Sequence, residues 1–436
     1  MRIEITGLSY GNAAIGRTAD GKVVFVAGGA PGDVAEITIT KETASYCEGV
    51  ITSLIEAGST RVKPACPLCD QCGGCPWMHI AYETQTAAKR DTVINQLTRI
   101  GGVPRAHAEE LIGPCIGSKR TLGYRNKIEM TAQTDAAGRF QLGFHAHKGT
   151  LNVAPKTCPL AARGIEKAPG ALRGALSYLQ GRDDLGIFRV GVRHSIRTKE
   201  TEIALWTPPS GFPRSLAVNT LTQALPCTSI VRVIADPGRA RKIKKVEALH
   251  GKGCWQEVLA NESYHLSAPS FFQINTAQAE IMIDLVMKGL ELDESSVVAD
   301  LYCGAGTFTL PLARRCDTVF AVESAASSVR DLRRNIEHDF TNIEIIGGDS
   351  ARELPLLGYL NAVIVDPPRA GLAKGVAESL AASKAKRIAY VSCDPATWAR
   401  DIARLRNVGY QLLQATPVDL FPQTYHVETV SILERK

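Results

Sequence analysis

A chain of 436 residues is too long for one ordinary core, so two or three domains are expected. Hydrophobic residues at 45% and charged residues at 22% exclude a disordered chain, and a net charge of +6 is a mild bias towards anionic partners. No apolar run reaches membrane-spanning length, and the first residues are too polar for a secretory signal. A soluble cytoplasmic monomer without a membrane partner is therefore expected.

Residues 1–57 read as short strands (1–6, 22–26, 33–41 and 49–55) separated by glycine-rich breaks such as 27–32, which suits a small barrel of the oligonucleotide-binding kind. A cysteine-rich loop follows, with Cys66, Cys69, Cys72 and Cys75 inside ten residues. In a reducing compartment such clustering points to a metal rather than to disulfides. Residues 80–100 have a helical pattern. From about 120 to 265 strand signals dominate, as in 126–132, 187–197 and 230–235, and predict a second, mainly β domain spanning 58–265. The stretch 232–245 carries six positive charges around a Pro-Gly turn, which is either a phosphate-gripping hairpin or a solvated turn.

From about 297 the pattern becomes alternating β and α. Strands are predicted at 297–301, 318–323, 342–346, 361–365, 387–391, 411–418 and 427–433, with helices between several of them. Such alternation predicts a multidomain α/β chain whose C-terminal part is a doubly wound, Rossmann-like sheet with its ligand crevice at the carboxyl ends of the strands.

The first strand of that sheet ends in Asp300-Leu-Tyr-Cys-Gly-Ala-Gly306, where Gly304 and Gly306 allow a tight turn and close approach of a ligand. A nicotinamide dinucleotide would fit a Gly-x-Gly turn, but the third glycine of that fingerprint is Thr309 here, and Asp300 would repel a pyrophosphate. Carboxylates recur at the strand ends: Asp300, Glu323, Asp349 and Asp366. S-adenosylmethionine is a cation without phosphate, and a rim of acids suits it. Glu323 is expected at its ribose hydroxyls and Asp349 at its adenine amino group.

Asp366-Pro-Pro-Arg369 places an arginine where methyltransferases of exocyclic amines carry an aromatic residue. The fifth strand ends in Ser392-Cys-Asp-Pro395, so Cys393 is expected to face the crevice. A thiolate there could add to C6 of a uracil and activate the poorly nucleophilic C5, a form of covalent catalysis. Glu428 is a candidate for the base that removes the C5 proton, with His426 as its rival. Outside this setting Cys393 would be read as a small buried hydrophobe.

These segments, together with Phe271-Phe-Gln-Ile-Asn275 and His426-Val-Glu428, run in order through the C-terminal half. The chain resembles the RNA uracil-C5 methyltransferases, which include the tRNA T-loop enzyme and the 23S ribosomal RNA enzymes. The resemblance implies a methyltransferase domain over 266–436, with Cys393 as nucleophile and Glu428 as base. It also implies cofactor contacts from Gln273, Tyr302, Gly304, Gly306, Thr307, Glu323, Asp349 and Asp366. Phe271 would help to hold an extruded base, its alternative being core packing.

Two Cys-x-x-Cys pairs only two residues apart are closer than a zinc ribbon arranges them, and suit an iron–sulfur cluster. The ribosomal branch implies a 4Fe–4S cluster on Cys66, Cys72, Cys75 and Cys158, the last in Lys156-Thr-Cys-Pro-Leu160; Cys69 departs from that pattern. Cys47, Cys115, Cys227, Cys254, Cys303 and Cys316 are read as packing residues. The N-terminal barrel resembles a TRAM domain, and barrel plus cluster point to 23S rRNA, with tRNA as the alternative. Arg125 and Lys127 are expected to contact RNA. An iron–sulfur oxidoreductase with a nicotinamide fold is the rival enzyme class.

Overall fold

Exposed and buried side chains alternate along β1 (Arg2–Leu8), and similar alternation runs through β2 (Ala13–Arg17), β3 (Val23–Ala27), β4 (Val34–Glu42) and β5 (Tyr46–Glu56). The inward set, which includes Ile3, Ile5, Val24, Val26 and Ile37, needs a common interior, and the five strands close around it in the order β1-β2-β3-β5-β4. This is a computed structural model, and it describes residues 1–436 except 136, 148–151, 182–183, 239–241 and 338.

The chain leaves the barrel through the cysteine loop and enters α1 (Tyr82–Arg99) and α2 (Arg105–Leu111). Next come β6 (Lys127–Thr134), β7 (Phe140–His145), β8 (Asn152–Val153), α3 (Ala168–Gln180), β9 (Arg189–His194), β10 (Thr201–Thr207), α4 (Arg214–Ala224), β11 (Ser229–Ala235) and β12 (Ile243–His250). Their strands form one sheet in the order β12-β11-β10-β9-β6-β7-β8. A mainly β unit is expected from sequence, whereas helices α3 and α4 cover one face of this sheet. Leu172, Leu176, Leu179, Ala217 and Leu221 pack there on Ile128, Val190, Val192, Ile203 and Leu205. The helix α4 links the parallel pair β10 and β11, as a βαβ unit requires.

A hairpin, β13 (Trp255–Leu259) and β14 (Glu262–Leu266), leads to α5 (Thr276–Leu290). The last unit runs β15 (Val297–Leu301), α6 (Thr309–Ala313), β16 (Thr318–Glu323), α7 (Ala326–Ile336), β17 (Ile343–Gly347), α8 (Ser350–Glu353), β18 (Ala362–Val365), α9 (Val376–Ala382), β19 (Arg387–Ser392), α10 (Pro395–Asn407), β20 (Tyr410–Val418) and β21 (Glu428–Arg435). The sheet order is β17-β16-β15-β18-β19-β21-β20, parallel from β17 to β19, with β21 antiparallel to both neighbours. The order reverses between β15 and β18, which puts the crevice at their carboxyl ends.

Two apolar layers sandwich this sheet. The hairpin, α5, α6 and α7 supply one. The other unites Val93, Ile94 and Leu97 of α1 and Ala108 of α2 with Val376, Leu380, Trp398, Ile402 and Leu405 of α9 and α10. Among the described residues no helix is long and apolar enough to cross a membrane.

Candidate active site

Each parallel strand delivers a carboxyl group to the crevice. Asp300, in β15, is fully buried; Thr309 Oγ1 donates to its Oδ2 at 2.6 Å, and its Oδ1 has no hydrogen-bond partner. Burial, with Asp366 and Glu323 nearby, pushes its carboxyl up to about 7. The turn after it is strained: Tyr302 sits at φ 63°, and Gly304 and Gly306 at 58° and 99°. A Cβ on Gly304 would meet nothing within 4 Å, so the turn leaves open space on that side. Thr307 closes the turn, its carbonyl facing the buried Tyr264 hydroxyl at 3.5 Å.

Glu323 ends β16 and holds the turn in place: Gly304 N–H donates to its Oε2 at 2.9 Å and Ala325 N–H to its Oε1 at 2.6 Å. Asp349 caps α8, its Oδ1 accepting from Ala351 N–H at 3.0 Å. Both carboxylates therefore have structural partners besides any ligand. Asp366 follows β18 and burial pushes it up to about 7. Gln273 is buried, with its carbonyl accepting from Asn126 Nδ2 at 2.8 Å. Phe272 packs in the core, whereas Phe271 is 68% exposed, which rules out core packing for it.

Cys393 and Glu428 come together through strand register. Ser392 pairs with Thr429 across β19 and β21, so Cys393, the residue after β19, and Glu428, the first residue of β21, lie at the same edge of the sheet. Burial, then the Glu428 and Asp366 charges, push the Cys393 thiol up to about 12, with Arg369 acting in the opposite sense. Glu428 is buried and pushed up to about 8 by burial and Asp366, again opposed by Arg369. In the sequence Arg369 signals only a missing aromatic; in the fold its charge bears on both Cys393 and Glu428. Burial holds His426 down at about 4, its ring 4.2 Å from that of Tyr425.

Cys66, Cys69, Cys72, Cys75 and Cys158 line one small cavity of about 30 Å³ with Leu68, Phe144, Val153, Pro155 and Pro159. All twelve cysteines are free. Among the described residues no three Cys, His, Asp or Glu side chains stand close enough to hold a metal ion. Cys69 faces the same cavity as the other four, and its carbonyl meets His147 Nε2 at 3.0 Å.

Burial pushes the Cys72, Cys75 and Cys158 thiols up, with the Arg125 charge acting in the opposite sense, and the buried Nε of Arg125 has no partner among the described residues. Lys127 lies 3.4 Å from Glu129, and burial pushes it down to about 8. Arg232 does not belong to a basic hairpin surface: it is buried, donates to Thr207 Oγ1 at 2.7 Å and stacks over Phe212. Lys244 pairs with Asp236 at 2.7 Å, and residues 239–241 of that turn lie outside the described residues. Of the cysteines assigned to packing, Cys47, Cys303 and Cys316 are buried, while Cys115, Cys227 and Cys254 are half-buried.

Comparison with known proteins gives a consistent assignment. Residues 238–357 and 353–436 match the model of the tRNA (uracil-5-)-methyltransferase family, and residues 1–52 match the TRAM domain. An RNA methyltransferase of Gloeobacter violaceus, described as uncharacterised, is 34% identical over 100% of this chain and 96% of its own. One from Synechocystis, described in the same words, is 31% identical over 100% and 95%. The crystal structure of the Pyrococcus abyssi tRNA (uracil-54, C5)-methyltransferase with S-adenosyl-L-homocysteine superposes with a TM-score of 0.76 at 25% identity. It covers 99% of this chain and 100% of that one. Full-length likeness of this kind, added to a crevice built on the family's own motifs, excludes the nicotinamide oxidoreductase: the chain belongs to the tRNA (uracil-5-)-methyltransferase family and carries an N-terminal TRAM domain.

Proposed function

We propose that the protein transfers a methyl group from S-adenosylmethionine to C5 of a uridine in 23S rRNA, with Cys393 as nucleophile and Glu428 as base. The observation that carries this reading is the register that brings Cys393 and Glu428 to one edge of the crevice beside Arg369. The cofactor suits the site: Asp300 Oδ1 is buried without a partner, the space beyond Gly304 is open, and carboxyl groups ring the crevice. A net cation stabilises carboxylates that burial otherwise disfavours. Gln273, Tyr302, Thr307, Glu323, Asp349 and Asp366 would hold it.

When bound, S-adenosylmethionine supplies an electrophilic methyl group. The Cys393 thiolate adds to uracil C6, the ring's electron pair moves to C5, and C5 takes the methyl, the electron pair of the broken S–CH3 bond leaving with S-adenosylhomocysteine. Glu428 then removes the C5 proton, the C6–S bond breaks, and Cys393 leaves as thiolate from 5-methyluridine. Phe271, exposed on the loop before α5, would support an extruded base.

Four cysteines, Cys66, Cys72, Cys75 and Cys158, would hold a 4Fe–4S cluster. Their shared apolar cavity and all-thiol donor set suit a group whose corners lie apart better than a single ion. The same spacing supports a ribosomal substrate. A tRNA substrate is the second reading, favoured by the full-length match to the Pyrococcus tRNA enzyme, because that match includes the barrel and so removes the barrel as a marker of ribosomal RNA. Incubation with labelled S-adenosylmethionine and, separately, 23S rRNA and bulk tRNA, followed by nucleoside analysis, tests all of this. 5-Methyluridine in rRNA alone supports the first reading and in tRNA alone the second; neither product rejects the reaction.

A further inference from the structure

The turn between β1 and β2 packs against the loop that leads into β21. It is held stiffly: Ser9 N–H and Oγ both donate to Ala13 O, at 3.1 and 2.6 Å, and Gly11 N–H donates to Ser9 O at 2.8 Å. Tyr10 projects from its tip. The Tyr10 ring meets that of Tyr425 edge-on, with centroids 5.5 Å apart and planes at 86°. From Tyr425 the aromatic file continues to His426 at 4.2 Å and Phe421 at 5.8 Å, all within the loop that delivers Glu428.

The barrel is fixed in this position. Ala30, Trp77 and Ile80 form a small core with Leu8 and Tyr425, His79 Nε2 meets Gly29 O at 3.1 Å, and Trp77 N–H donates to Gln423 O at 3.1 Å. The half-buried Tyr10 hydroxyl is near enough to the end of β19 that Asp394 and Cys393 reinforce the effect of burial in resisting its ionisation, while Arg369 opposes them. A phenol that a packed barrel sets against Tyr425, next to His426 on the loop that runs into Glu428, and that no step of methyl transfer consumes, is free to act towards a base that enters there.

We propose that Tyr10 forms one wall of the pocket that receives the extruded uracil, a substrate-positioning residue contributed by the barrel. The proposal rests on the uracil-C5 reading and deepens it: the TRAM domain completes the reaction chamber as well as offering RNA a surface. A flat π face is what a base requires, since every base can stack on one.

The test compares wild type with Tyr10→Phe, Tyr10→Leu and Tyr10→Ala on whichever of 23S rRNA and bulk tRNA the wild type methylates. Readouts are KM for RNA, kcat, affinity for S-adenosylhomocysteine, the unfolding midpoint, and the rate of covalent adduct formation on 5-fluorouridine-substituted RNA. Tyr10→Phe keeps the ring and is expected within about 3-fold of wild type. Tyr10→Leu and Tyr10→Ala are expected to raise KM for RNA and slow adduct formation by about 10- to 100-fold, the range of one base-stacking contact. Tyr10→Leu keeps an apolar contact with Tyr425, so its unfolding midpoint and S-adenosylhomocysteine affinity should stay near those of wild type. If Tyr10→Leu restores normal KM, or Tyr10→Ala behaves as wild type, Tyr10 is only glue between domains and the proposal is wrong. Wild-type protein that forms no 5-methyluridine on either RNA overturns the uracil reading, and this proposal with it.

Discussion

The Cys393 thiol stands among the carboxyl groups of Glu428, Asp366 and Asp394, and of the groups bearing on it only Arg369 favours the thiolate. The free site thus keeps the Cys393 thiol protonated, and on the proposed mechanism a cationic cofactor in the crevice would favour its ionisation, as Arg369 does. Glu428 has no comparable ally near C5 except His426, which burial holds neutral. In Glu428→Gln the proton on C5 should have no acceptor. One methyl should be transferred per enzyme, RNA should remain covalently attached on a denaturing gel, and turnover should fall by roughly 10²–10⁴-fold. Turnover at the wild-type rate would transfer the base role elsewhere. Asp366 offers a second test, of stability. Its carboxyl is pushed up to about 7 in the fold, against roughly 3.9 in an unfolded chain. A raised value of this kind stabilises the ligand-free fold fully below about pH 4, and the benefit is lost as pH rises through about 7. Asp366→Asn should therefore flatten the fall in unfolding free energy between pH 5 and pH 8 by about 1–3 kcal/mol in urea titrations. Asp300 and Glu428, raised in the same direction, should leave some slope. Equal slopes in variant and wild type would show that Asp366 is ionised in the free site.

Elements that carry their own signal were legible, and those assembled by distant contacts were not. Strands β15 and β16 could be bounded to the residue because buried parallel strands are continuous apolar runs ending in a carboxylate. Helix α3 was hidden by Pro169, Gly170 and Gly174, which read as breaks, yet its proline sits in the first turn where it costs little. Strand β2, Ala13–Arg17, offers too few β-forming residues to be noticed, and the barrel's closure supplies its stability. The β15–α6 turn was legible as Gly-x-Gly, but the sequence treats its two glycines alike and the fold does not. A Cβ on Gly306 would meet Leu310 Cδ1 at 2.6 Å and Leu332 Cδ1 at 2.7 Å, whereas one on Gly304 would enter open space. Gly306→Ala should thus cost about 2–4 kcal/mol of stability, combining overpacking with its positive φ. Gly304→Ala should cost only about 1–2 kcal/mol in stability while weakening S-adenosylhomocysteine binding at least ~10-fold. Calorimetric binding by Gly304→Ala at wild-type affinity would place the cofactor on another side of the turn.

At the scale of the whole molecule, the cysteine-bearing segment is bound to the loop that leads into β21 and Glu428. Lys89 of α1 and Asp419 form a fully buried ion pair across 330 residues of sequence; Gln85 Nε2 donates to Gln423 Oε1 at 3.0 Å, and the Tyr124 hydroxyl donates to Pro422 O at 3.1 Å. None of these partners could be paired from sequence, because each is an isolated polar residue whose mate lies hundreds of residues away. Trp77, whose N–H donates to Gln423 O, follows Cys75 by two residues, and Met78 N–H donates to Cys75 O at 3.3 Å. A cluster gripping Cys66, Cys72, Cys75 and Cys158 would therefore stiffen the route from the barrel to the loop that leads into Glu428, while the proposed uracil chemistry moves no electrons through it. On the proposed reading such a cluster would be structural, with measurable consequences. Cys158→Ser should lose bound iron and its visible absorption, lower the unfolding midpoint, and raise KM for RNA more than it lowers the affinity for S-adenosylhomocysteine. Anaerobic wild-type protein assayed with its cluster oxidised and then reduced should methylate RNA at the same rate. A rate that follows the oxidation state would instead make the cluster a participant or a redox switch. Iron-free wild type with unchanged stability and RNA affinity would show that the five thiols hold this loop without it.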